Sequence, residues 1–160
     1  MTYDDVKAQD AIISAFGTWT PETHILHKNS AVFLANLFSG QPNRLLFAGG
    51  AGSLYTDETH TQRLMDAPDF PESYYPTASN MALGLDEIRK RDDVNWTYLS
   101  PSADFDAEGE RTGTYRSGAE VVLFNAKGDS YISYADYAVA MLDEAEQGKH
   151  IKKRFTVVSE

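Results

Sequence analysis

The chain has no cysteine at any of its 160 positions. That absence excludes disulfides and thiolate chemistry and fits a reducing compartment. Cationic side chains are scarce: 14 Lys and Arg stand against 24 Asp and Glu, a formal net charge of −10. A field of that sign repels polyphosphate chains, which argues against nucleic acid as a partner. It opposes a free anionic dinucleotide as well, so such a ligand needs local help from backbone amides and helix amino ends. No apolar run approaches membrane-spanning length, and Met1-Thr-Tyr-Asp-Asp5 lacks the basic and apolar regions of a signal peptide. The expectation is a cytoplasmic protein with no membrane partner. Hydrophobic residues make up 42%, and 160 residues suffice for one domain with a real core.

What is present starts with Asn43 to Leu54, where the apolar run Leu45 to Gly49 breaks into Gly49, Gly50 and Gly52. An unbroken apolar run of this length reads as a strand covered on both faces. The glycines predict positive φ and a backbone that a ligand can approach without an intervening side chain; a plain tight turn is the competing reading. In an open α/β sheet, the carboxyl ends of the strands are where ligands bind.

Strand and helix alternate along the rest. Asp10 to Phe16 reads as a buried strand. A helix is predicted from Thr20 as N-cap and Pro21 in its first turn to a close at Gly40. A long loop runs from about Ala51 to Pro76, a length usually reserved for function or a lid. Then follow a helix from Thr77 to Arg91, a strand from Asn95 to Leu99, an edge strand at Val121 to Phe124, a helix from Tyr134 to Glu146, and a strand from Arg154 to Val158. Such alternation implies parallel strands with right-handed crossovers.

Several stretches together carry a resemblance. They are Asp10-Ala-Ile-Ile-Ser-Ala-Phe-Gly17, Arg44-Leu-Leu-Phe-Ala-Gly-Gly-Ala-Gly-Ser-Leu54, Ala67-Pro-Asp-Phe-Pro-Glu72 and Trp96-Thr-Tyr-Leu-Ser-Pro101. Gly109-Glu-Arg-Thr-Gly113, Ile132-Ser-Tyr-Ala-Asp-Tyr-Ala138 and Arg154-Phe-Thr-Val157 continue the series. In this order they resemble the atypical short-chain dehydrogenase/reductase family of NAD(P)H-binding proteins, which includes NADH-flavin reductase-like and NmrA-like members. The resemblance implies a single Rossmann-like α/β domain over residues 1–160, a mostly parallel sheet with flanking helices. It also implies an N-terminally truncated chain, the carboxyl-terminal two-thirds of the family fold, because no Gly-rich βαβ unit precedes Asp10. On that reading Asp10 to Phe16 becomes an apolar sheet edge, and a homodimer through it is expected.

By the same resemblance, cofactor contacts are expected at Ala15, Phe16, Gly17, Gly49, Gly50, Leu99, Ser100 and Pro101, with NAD(P)H as cofactor and a flavin as substrate. Trp19, Ser53 and Tyr75 are candidate substrate contacts. Family members with a proton relay pair a Tyr with a Lys four residues on, where the charge lowers the Tyr pKa. Here Tyr75 is followed by Ser79, and Gly50 stands where the relay serine is expected. Hydride transfer to a flavin needs stacking geometry more than acid or base. Trp19, Phe70, Tyr74 and Tyr75 either stack on such a ring or pack their loops. His24 and His27 lack a carboxylate in ligand spacing, so no metal is expected. Asp136 reads as a helix-start carboxylate with a structural role. Three functions follow: an NAD(P)H-dependent oxidoreductase of the flavin-reductase-like type, a non-catalytic NmrA-like dinucleotide sensor, or an inactive fragment.

Overall fold

Leu45 and Leu46 are neighbours in one strand, point to opposite faces and are both fully buried, so the sheet must be covered on each side. The computed structural model describes residues 1–160 and shows that arrangement. The strands are β1 (Ala11–Ser14), β2 (Arg44–Ala48), β3 (Asn95–Ser100), β4 (Asp104–Asp106), β5 (Tyr115–Gly118), β6 (Tyr131–Ser133) and β7 (Lys153–Ser159). The helices are α1 (Leu26–Leu37), α2 (Tyr75–Ile88) and α3 (Tyr134–Gln147). The main sheet runs β1-β2-β3-β7-β5, parallel except for β5, which is antiparallel to β7. This is the Rossmann-like α/β layering that the alternation of elements predicts.

One face packs Leu45, Phe47, Trp96 and Tyr98 against Ala31, Leu34 and Phe38 from α1 and its end, and Leu85 and Ile88 of α2. The other packs Leu46, Leu99, Phe155 and Val157 against Tyr137, Ala140 and Met141 of α3. Register pairs Leu45 with Ile12 on one side and Trp96 on the other. β1 pairs only with β2, so it is a sheet edge, and Ile13 there is 41% exposed. No helix is long and apolar enough to cross a membrane.

Four sequence expectations change. Asp10 to Phe16 is not a buried strand: only Ala11–Ser14 is extended and none of residues 10–16 is fully buried, because β1 is paired on one side only. The first long helix starts at Leu26, not after Thr20. The Thr20 carbonyl accepts N–H bonds from Thr23 and His24, and the Thr23 hydroxyl bonds back to the same carbonyl, so residues 20–25 close into turns. Gly40 lies beyond the helix end with φ 68°, and its N–H bonds to the Asp93 carbonyl. Val121 to Phe124 is not an edge strand. β5 takes that place beside β7, while the Val122 N–H bonds to the Tyr55 carbonyl. The small parallel sheet of β4 and β6 had no sequence signal, because three residues are too few to show a period of two.

Candidate functional site

The carboxyl ends of β1, β2 and β3 open into a cleft of about 1220 Å³, where an open α/β sheet places its ligands. β1 runs on into Ala15, Phe16 and Gly17 along one lip, β2 into the glycine cluster, and β3 into Pro101, Ser102 and Ala103. Phe70, Tyr74 and the start of α2 close the opposite side.

The glycine cluster is there for packing. None of Gly49, Gly50 and Gly52 takes positive φ, which overturns the backbone argument made from the sequence. A Cβ on Gly49 falls inside the Tyr98 ring, 2.5 Å from Cζ and 2.7 Å from Cδ1. A Cβ on Gly52 meets Cβ of Ala78 in α2 at 2.7 Å, and one on Gly50 meets the Met81 sulfur at 3.1 Å. The glycines thus let Tyr98 and α2 close tightly on the strand end, and the bare backbone that results also lines the cleft.

Hydrogen bonds fix this floor. The Leu99 carbonyl accepts from the Gly49 N–H at 2.8 Å and from the Tyr137 hydroxyl at 2.7 Å, tying the ends of β2 and β3 to α3. Burial pushes the Tyr98 phenol up to about 12, and burial raises the Tyr137 phenol as well, so both keep their protons at neutral pH. Arg154 of β7, itself buried, donates to Ser53 Oγ at 2.9 Å and pairs with Glu120, which also holds Arg89 at 2.6 Å. Burial alone would raise the Glu120 carboxyl, but the two guanidiniums outweigh it and hold it below the usual carboxylate range. This cluster clamps the loop after β2 onto the core.

His27 of α1 is buried in the cleft wall, with Nε2 2.9 Å from the Thr18 carbonyl, so that nitrogen carries the proton. Its ring takes Phe16 and Trp19 edge-on, at centroid distances of 5.6 Å and 6.2 Å. His27 thereby braces the aromatic lip, a role the sequence did not suggest. No group of three His, Cys, Asp or Glu side chains surrounds a common centre. Asp136 does have the expected structural role. It accepts from the Thr112 N–H, the Thr112 hydroxyl and the Gly113 N–H, at 3.0, 2.7 and 2.7 Å, while Ser133 caps its own N–H. These bonds outweigh burial and lower its pKa. Arg44, Glu144 and His150 form a separate, partly buried network at the other end of β2, away from the cleft.

Of the predicted cofactor positions, Ala15, Phe16, Gly17, Gly49, Gly50 and Pro101 meet on the cleft lining. Leu99 and Ser100 do not, being fully buried behind it. Trp19 and Ser53 line the cleft; Tyr75 lies off it, and its neighbour Tyr74 stands there instead. Ser79, four residues after Tyr75, spends its hydroxyl on the Pro76 carbonyl. Phe105, Tyr134, Tyr137, Thr77 and Met81 also line the cleft and were missed, although Tyr134 and Tyr137 sit inside one of the recognised stretches.

No protein-family model matches the chain. The protein YwnB of Bacillus subtilis (strain 168), itself uncharacterised, is 49% identical over 160 residues, all of this chain and 75% of that one. A crystal structure from Streptococcus pneumoniae TIGR4, provisionally named an NADH-flavin reductase, is 48% identical with a TM-score of 0.96, covering 100% of this chain and 76% of that one. A protein of Bacteroides thetaiotaomicron, provisionally named an epimerase, is 36% identical with a TM-score of 0.84, covering 98% and 70%. The chain belongs to the atypical short-chain dehydrogenase/reductase family of NAD(P)H-binding proteins. This chain spans about three quarters of the length of the relatives it matches.

Proposed function

We propose that the chain is an NAD(P)H-dependent oxidoreductase of the flavin-reductase-like type. The observation that carries this reading is a cleft that joins bare strand-end backbone to an aromatic lip and has no Tyr–Lys pair. Ala15, Gly17, Gly49 and Gly50 present at most one methyl group each, which suits a flat ring lying against the strand ends. When bound there, NAD(P)H would supply a hydride to the isoalloxazine ring, becoming NAD(P)⁺, while the single proton that completes the reduced flavin comes from solvent.

The chain's own residues then have positioning roles. Phe16 and Trp19, braced by His27, together with Phe70 and Tyr74 on the same cleft lining, offer aromatic faces on which a three-ring system can stack. Orientation of this kind, with water kept from the ring faces, is what hydride transfer asks of a protein. The relative named as an NADH-flavin reductase supports the reading; the one named as an epimerase suggests other chemistry, and the missing Lys speaks against a Tyr–Lys relay here. No Gly-x-x-Gly-x-x-Gly turn occurs in residues 1–160, so no residue is assigned to the diphosphate.

Ser79 in place of the relay Lys also favours a second reading, a dinucleotide sensor of the NmrA-like kind that binds without turnover. Titration with NADH and with NADPH, followed by flavin-dependent oxidation at 340 nm, separates them. Binding with turnover supports the reductase. Binding without turnover supports the sensor, and no binding up to millimolar concentration contradicts both.

A further inference from the structure

The bare floor at Gly49 and Gly50 has two aromatic surfaces beside it. The Phe16–Trp19 lip follows β1, while Phe105 of β4 and Tyr134 and Tyr137 of α3 line the cleft from the α3 side of the sheet. Tyr137 stands at the bottom of this second surface. It is 6% exposed, and its hydroxyl donates at 2.7 Å to the Leu99 carbonyl, which also takes the Gly49 N–H. Phe105 leans on it at a ring-centroid distance of 4.8 Å, and Tyr134 lies on Phe105 at 4.0 Å with the ring planes 34° apart. Exposure rises along this series to 47% at Tyr134, whose ring has one face covered by Phe105 and the other open.

This wall is held more firmly than the lip. Phe105 is fixed by the pairing of β4 with β6, where it stands opposite Ile132. The Ser133 hydroxyl caps the first turn of α3, and Asp136 draws the Thr112 and Gly113 N–H groups onto the same turn, so the backbone that carries Tyr134 is pinned. Trp19, by contrast, is 70% exposed and leans on the His27 ring edge-on at 6.2 Å. An aromatic face that is already ordered loses less side-chain freedom on binding, and an open one gains by being covered. From these contacts we infer that a flavin ring takes its main stacking contact from the open face of Tyr134, extending the series Tyr137, Phe105, Tyr134 by one ring, and that the lip contributes less. This seat rests on the flavin-reductase reading and names where its acceptor binds. It puts the acceptor on a wall tied through the Leu99 carbonyl to the strand-end backbone at Gly49.

Riboflavin binding, read from quenching of its fluorescence, tests the seat. Tyr134→Ala is expected to raise the riboflavin Kd by about fivefold to tenfold, the size of an aromatic stacking contact, and Trp19→Ala by under about twofold. Tyr134→Phe keeps the ring and is expected to bind as the parent does. In turnover, Tyr134→Ala is expected to raise KM for riboflavin while leaving KM for NADH unchanged. Tyr134 is half exposed, so its variants are expected to fold, and circular dichroism checks that. Should Tyr134→Ala lose the parent spectrum, Tyr134→Leu, which keeps an apolar cover over Phe105 without a ring, carries the same expectation. Riboflavin held as tightly by Tyr134→Ala as by the parent, a larger loss in Trp19→Ala, or equal losses for riboflavin and NADH overturns the seat. In each of those cases flavin-dependent NADH oxidation by the parent still leaves the reductase reading standing. If the parent reduces no flavin, that reading fails and the seat falls with it.

Discussion

Gly49→Ala should be among the most damaging one-methyl changes in this protein, for a reason unrelated to ligand binding. The added Cβ lands 2.5–2.7 Å from carbons of the Tyr98 ring, where carbon pairs settle at about 3.5–4.0 Å. Cε1 of the ring lies closer still, so the ring must retreat by well over ~1 Å. It has no room to do so: Tyr98 is 4% exposed, lies 6.4 Å from the Phe47 ring, and shares a core with Leu85 and Trp96. Overpacking of a closed core costs about 1–3 kcal/mol, and so hard a contact belongs at the upper end, about 3 kcal/mol. For a chain of this size that corresponds to a fall in Tm of about 6–12 °C. Urea denaturation followed by circular dichroism measures it. The decisive control is a Tyr98→Leu background, where the space is vacated and Gly49→Ala should cost under about 1 kcal/mol, a coupling of about 2 kcal/mol. Gly50→Ala is the contrast, because its Cβ meets only the flexible Met81 thioether at 3.1 Å and should cost under about 1 kcal/mol. A Gly49→Ala protein as stable as its parent would refute the packing argument and return the glycine to a ligand-approach role.

Other consequences are open to measurement. Asp136→Asn removes a carboxylate that accepts three bonds from Thr112 and Gly113, and should cost about 2–3 kcal/mol at pH 7. The folded pKa of Asp136 lies below its unfolded value of about 3.9, so its stabilisation is complete above about pH 4 and is lost as pH falls through the folded value. The stability gap between parent and variant should accordingly shrink in acid, and a gap constant from pH 7 to pH 2 contradicts that assignment. Arg154→Met leaves Glu120 paired with Arg89 but strips Ser53 of its donor; we expect a loss of about 1–3 kcal/mol and faster amide exchange at Leu54 and Tyr55. Unchanged exchange there shows that Arg154 does not clamp the loop. The open edge of β1 predicts self-association, so light scattering at tens of micromolar should return a dimer mass that Ile13→Lys abolishes. A monodisperse monomer of the parent chain rules that out.

Much of the fold was legible because apolar periodicity and length report burial. The run Leu45 to Phe47 announced a doubly covered strand, and α2, α3, β3 and β7 were placed to within about two residues at all but one of their ends. Misplacement came where hydroxyl side chains compete for the backbone, as at Thr20 and Thr23, and where pairing depends on a distant partner, as for β5. Half of the site was readable by resemblance, since residues that follow parallel strands must gather at one sheet edge. What the sequence hid was side-chain direction. Leu99 and Ser100 belong to the right strand end yet sit behind the cleft, and Tyr74 rather than Tyr75 faces it. The glycine cluster was correctly singled out for the wrong cause, because nothing local in Gly49 tells that a Tyr ring from the next strand will lie against it.

The central claim is that nicotinamide and acceptor meet over the ends of β1, β2 and β3. Hydrogen–deuterium exchange with and without millimolar NADH tests it at the residues concerned. The account predicts protection confined to residues 15–17, 49–53 and 101–104. Protection concentrated elsewhere, such as around Arg44 and Glu144 at the opposite end of the sheet, or none at saturating nucleotide, contradicts it.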